Sequence, residues 1–89
     1  MSTSENVESV RVAIIEDDAL LSSLLTSWLN AKGAWSVVGV AASGDEGVAL
    51  CEREKPALVL LDLELPNTNG IVIAEQLMEK MPGIKILVI

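Results

Sequence analysis

Ala57-Leu58-Val59-Leu60-Leu61-Asp62 is an unbroken apolar run that stops on an acid, and the turn formers Pro66-Asn67-Thr68-Asn69-Gly70 follow closely. A run this short, set between Pro56 and a turn, reads as a buried strand rather than a helix. The pattern has already occurred once: Val10-Arg11-Val12-Ala13-Ile14-Ile15 runs straight into Glu16-Asp17-Asp18. Beyond each strand the apolar spacing lengthens to that of a helix. From Ala19, residues Leu20, Leu21, Leu24, Leu25, Trp28 and Leu29 fall on one side, which is expected to face the core and to bury Trp28. Asp18 suits the N-cap of this helix and Gly33 its end.

Outward from these anchors, Trp35 to Ala42 reads as a second strand, broken by Ser43-Gly44. Asp45 to Lys55 reads as a second helix, with Val48, Ala49 and Cys51 or Leu50 inward, ended by Pro56. Ile71 to Met81 reads as a third helix, with Ile71, Ala74, Leu77, Met78 and Met81 inward, closed by Pro82-Gly83. Ile84 to Ile89 is a fourth strand. Short apolar strands alternating with amphipathic helices call for an α/β fold, a parallel sheet with helices on both faces. Residues 1–9 read as a disordered tail, and residues 10–89 as one unit.

Composition narrows the function classes. The net charge is −7, with 13 acids against 6 bases, which argues against direct nucleic-acid binding and against docking on an anionic membrane. No apolar stretch reaches the length of a membrane span, and the polar, acidic N-terminus lacks the features of a targeting peptide. A single cysteine, Cys51, cannot form an internal disulfide and fits a reducing cytoplasm; it reads as a small buried hydrophobe. With no histidine, a Ser-His-Asp triad is ruled out, as is the commonest zinc ligand.

In an open parallel sheet, ligands bind beyond the carboxyl ends of the strands. If the first and third strands are neighbours, Glu16, Asp17 and Asp62 converge there. Their mutual repulsion favours a hard divalent cation, and Mg2+ suits a site of one or two carboxylates with room for phosphate oxygens. A lone acid at a strand end is ordinarily a cap or a solvated loop residue, and Asp18 is expected to be such a cap.

Three segments resemble the response-regulator receiver domains of two-component signalling. Val12-Ala13-Ile14-Ile15-Glu16-Asp17-Asp18 is similar to the family's opening strand and acidic pair. Leu58 to Gly70 resembles its phosphoacceptor segment, with Asp62, Pro66 and Gly70 in register, and Pro82 to Ile89 resembles its approach to strand four. The resemblance covers residues 10–89. It implies a flavodoxin-like open sheet of strand order 2-1-3-4, here a truncated (βα)3β. It further implies that Asp62 accepts a phosphoryl group from a sensor histidine kinase. Mg2+ would be held by Asp17, Asp62, Glu16 (directly or through water) and the main-chain carbonyl of Glu64, and Pro66 and Gly70 would shape the turn. A parent transcriptional regulator is implied as well.

The pattern also departs from the family's. The Ser or Thr expected after strand four and the Lys expected on strand five lie beyond Ile89. The alternative reading is therefore an interaction module without phosphotransfer, and the exposed fourth strand is expected to support homo-oligomerisation. A phosphohydrolase of the haloacid dehalogenase type would need a second Asp two residues after Asp62, where Glu64 stands. The domain itself is expected not to be an enzyme beyond self-catalysed phosphorylation and dephosphorylation of Asp62.

Overall fold

The computed structural model describes residues 9–89. The element order is β1 (Val10–Ile15), α1 (Ala19–Ala31), β2 (Trp35–Ala41), α2 (Gly44–Glu54), β3 (Leu58–Leu61), α3 (Gly70–Lys80) and β4 (Lys85–Val88). The strands form one sheet of order β2-β1-β3-β4, every pairing parallel, so the flavodoxin-like order expected from the resemblance is the one observed. The tail expected over residues 1–9 falls almost wholly outside the described residues.

Alternation along β1 divides the core. Ala13 and Ile15, with Val59 and Leu61, face one side and pack with Leu50, Cys51, Ile73 and Leu77 of α2 and α3. Val12, Ile14 and Leu60 face the other side and pack with Leu29 of α1. Strands buried on both faces cannot spare a polar residue in mid-strand, which is why the runs are continuously apolar. Cys51 is fully buried, as expected of a small hydrophobe.

The helix faces correct the reading from periodicity. On α1 the buried residues are Ser22 and Leu29, whereas Trp28 is 58% exposed and Leu20, Leu21 and Leu24 also lie outward. The apolar stripe of this helix is wider than its contact with the sheet, and the contact takes only the edge holding Leu25 and Leu29. Ser22 can be buried because its Oγ donates to the Ala19 carbonyl oxygen at 3.2 Å. On α2, Ala49 is exposed, while Gly44, Gly47, Leu50 and Cys51 are buried. On α3, Ile71 and Met78 are exposed, and Ile73, absent from the expected face, is buried with Leu77 and Gly70. Close approach explains the glycines: a Cβ on Gly47 would stand 2.5 Å from Ile15 Cδ1. The expected helix caps hold, since Asp18 accepts from the N–H groups of Leu20 and Leu21. Gly33 follows the C-cap Lys32 at φ +75°.

Candidate functional site

The parallel register brings the acids together. Ile15 and Leu61, the last residues of β1 and β3, are register partners. The next residues continue the ladder: Asp62 N–H donates to the Ile15 carbonyl at 3.0 Å, and Glu16 N–H donates to the Ala41 carbonyl at 2.9 Å. Glu16, Asp17 and Asp62 therefore leave adjacent strand ends in the same direction, and one carboxylate oxygen from each lies within 4.8 Å of the others. Glu16 is buried, Asp62 half-buried and Asp17 exposed, so the cluster opens to solvent on one side.

Main-chain N–H groups hold the carboxylates. Glu16 Oε2 accepts from Asp18 N–H at 3.0 Å, and Asp62 Oδ1 accepts from Glu64 N–H at 2.8 Å. The second contact is an Asx turn, which points the Asp62 carboxylate along the sheet end and folds Leu63-Glu64 back over it. Gly70 makes that fold possible: a Cβ there would stand 2.5 Å from Leu63 Cα. Asn69 caps α3 by accepting from Ile71 N–H at 2.8 Å. The Asp18 and Glu64 main-chain donors did not emerge from the sequence reading, although an Asp two residues before a free N–H is the usual signal for the second. Of the four residues named from the sequence, Glu64 alone lies outside the carboxylate cluster, and its side chain is exposed.

Burial raises the Glu16 carboxyl above its ordinary value of 4.5, the Asp18 N–H opposes the rise, and the nearby Asp62 charge reinforces it. The site thus gathers more negative charge than its surroundings neutralise. Hard oxygen donors at this spacing, with an open side for water or phosphate oxygens, fit a small divalent cation.

Comparison with known proteins agrees with this geometry. The family model described as "Response regulator receiver domain" matches residues 12–89. The chain is 34% identical over 77 residues to the protein-glutamate methylesterase/protein-glutamine glutaminase of Maricaulis maris, covering 86% of this chain and 19% of that protein. It is 31% identical over 84 residues to the uncharacterized transcriptional regulatory protein YxjL of Bacillus subtilis, covering 94% of this chain and 38% of that one. Among solved structures it is similar to the response regulator domain of Thermotoga maritima CheB, with TM-score 0.84, 28% identity, and coverage of 91% of this chain and 60% of the other. The chain thus spans well under half the length of these curated relatives. Among the described residues, no helix is long and apolar enough to cross a membrane. Four strands in receiver order, an acidic cluster at their carboxyl ends and a family match over nearly all described residues lead to one conclusion: the chain belongs to the response regulator receiver domain family.

Proposed function

We propose that residues 10–89 form a phosphoacceptor module of a cytoplasmic two-component response regulator, in which Asp62 takes a phosphoryl group from a histidine kinase. The observation that carries this reading is the meeting of the Glu16, Asp17 and Asp62 carboxylates within 4.8 Å at the carboxyl end of the sheet. Receiver domains bind Mg2+ in an acidic pocket. Here Asp17, Asp62 and the Glu64 carbonyl would hold the ion, with Glu16 directly or through water. When bound, it supplies positive charge that offsets the charge on the transferring phosphoryl group.

The protein's own residues do the rest. Glu64 N–H occupies Asp62 Oδ1 and fixes the carboxylate plane, so that the other oxygen is the nucleophile. That oxygen forms a bond to phosphorus as the phosphorus–nitrogen bond of the kinase phosphohistidine breaks. The electron pair leaves with the imidazole, and the product on this chain is an acyl phosphate. The parent protein is a transcriptional regulator in this reading, and the regulatory relative supports that choice.

Incubation with Mg2+ and acetyl phosphate, followed by intact mass measurement, tests the phosphoacceptor role. The expected result is a gain of one phosphoryl group that is absent in Asp62→Asn and in chelator. Absence of any adduct under conditions that saturate with Mg2+ would favour a pure interaction module.

A further inference from the structure

The loop of residues 62–69 joins β3 to α3 and begins with Asp62. Most of it faces water: Glu64, Pro66, Asn67 and Asn69 are exposed, and Asp62, Leu63 and Thr68 are half-buried. Leu65 is the exception. It is 5% exposed and belongs to the same apolar cluster as Leu61 of β3 and Ile73 and Leu77 of α3. It is buried by described residues alone, in the part of the core that lies beneath the acidic end of the sheet.

What adjoins this side chain gives its burial a consequence. The Glu64 carbonyl, the Leu65 nitrogen and the Leu65 Cα share one rigid peptide plane. A Leu65 held in the core therefore anchors one end of the plane that presents the Glu64 carbonyl. The preceding plane carries Glu64 N–H, which donates to Asp62 Oδ1 at 2.8 Å. Its far end is Leu63, whose backbone lies against Gly70. Both peptides around Glu64 are thus held between Gly70 on one side and the core on the other. The Glu64 side chain supplies no anchor of its own, being exposed and without an ionic partner among the described residues. Past Leu65 the chain reverses at Asn67, with φ +59°, and the Asn69 cap fixes only the start of α3.

We propose that Leu65 is a positioning residue: its place in the core fixes the two Glu64 peptides, and through them the Asp62 carboxylate and the Glu64 carbonyl. The purpose of that geometry rests on the phosphoacceptor reading; the geometry itself does not. Amide exchange followed by NMR in chelator therefore reads it without any metal. Leu65→Ala speeds exchange of the Glu64 amide about tenfold, and calorimetry finds Mg2+ binding weakened about tenfold, the lower end of what lost support around a metal site costs. Leu65→Met refills the space and restores both. Leu29→Ala removes the same atoms from the core on the other face of the sheet. It lowers stability but leaves Glu64 exchange and Mg2+ affinity unchanged, and a merely structural Leu65 would behave as Leu29 does. Far-UV circular dichroism checks each fold, and Leu65→Val makes the same comparison if Leu65→Ala does not fold. Unchanged Glu64 exchange in the Leu65 variant, or equal acceleration in Leu29→Ala, overturns the proposal. A wild type indifferent to Mg2+ that still shows the exchange pattern sinks the phosphoacceptor reading and leaves the positioning role supported.

Discussion

Replacing Asp62 by Asn should make the protein more stable when divalent cations are absent. Asn retains an oxygen that can accept from Glu64 N–H, a contact of 2.8 Å, so the turn is kept and only the charge is removed. Two repulsions vanish, those with Glu16 and Asp17, at separations up to 4.8 Å. At that distance a pair of unit charges costs about 0.9 kcal/mol in a water-like dielectric and about 3.5 kcal/mol at an effective value near 20. Asp17 is exposed and Asp62 half-buried, which places the sum near the lower bound, about 2 kcal/mol. Urea unfolding in chelator at low salt and neutral pH measures it as a higher midpoint for Asp62→Asn with an unchanged slope. Adding Mg2+ should then stabilise the wild type more than the variant, because only the wild type has three carboxylates to neutralise. A variant equal to or less stable than wild type in chelator, or an equal gain from Mg2+ in both, would refute the reasoning.

Glu16 predicts a pH effect of defined sign. Its carboxyl titrates above 4.5 in the folded protein, so between 4.5 and that higher value the folded state holds more protons than the unfolded one. Its contribution therefore falls as pH rises through this window; in chelator, wild type minus Glu16→Gln should lose stability from acid towards neutral pH, and Mg2+ should flatten the difference. Gly70→Ala places a Cβ against Leu63 backbone, which cannot swing aside, so a loss of about 1–3 kcal/mol and weakened Mg2+ binding should appear together. Trp28→Ala should cost less than about 1 kcal/mol, mainly its contact with Lys32, whereas Leu29→Ala should cost about 2–5 kcal/mol in the same urea titration. Burial pushes the Cys51 thiol up to about 11, so thiol reagents at mildly alkaline pH should label it slowly in the folded protein and rapidly in urea.

Strand ends were legible in the sequence because the buried stretch of a parallel strand leaves no freedom: apolar from Val12 to Ile15 and from Leu58 to Leu61, then an acid where the sheet meets water. That is why Glu16, Asp17 and Asp62 could be named before any coordinates, and why their convergence needed only the order of β1 and β3. Helix orientation was not legible in the same way. On α1 the apolar positions span a wide arc, and either edge of that arc could have met the sheet. The observed edge includes Ser22 and Thr26, whose hydroxyls are satisfied within the helix itself, Thr26 Oγ1 donating to the Ser22 carbonyl at 2.7 Å. Ile73 and Ile71 are equally apolar, and only the approach of α3 to α2 through Gly44 distinguishes them, since a Cβ on Gly44 would stand 2.6 Å from Ile73 Cδ1. Such steric vacancies are properties of the packed pair and leave no trace in one element's periodicity.

Three of the acids at the sheet end are tethered by peptide groups: Glu16 by Asp18, Asp18 by Leu20 and Leu21, Asp62 by Glu64. The identity of the neighbouring side chains is thereby freed from the chemistry. The exposed positions 19, 20 and 64 can change character while the geometry of the charged pocket survives each exchange. A scaffold of this kind separates what the molecule does from whom it does it with.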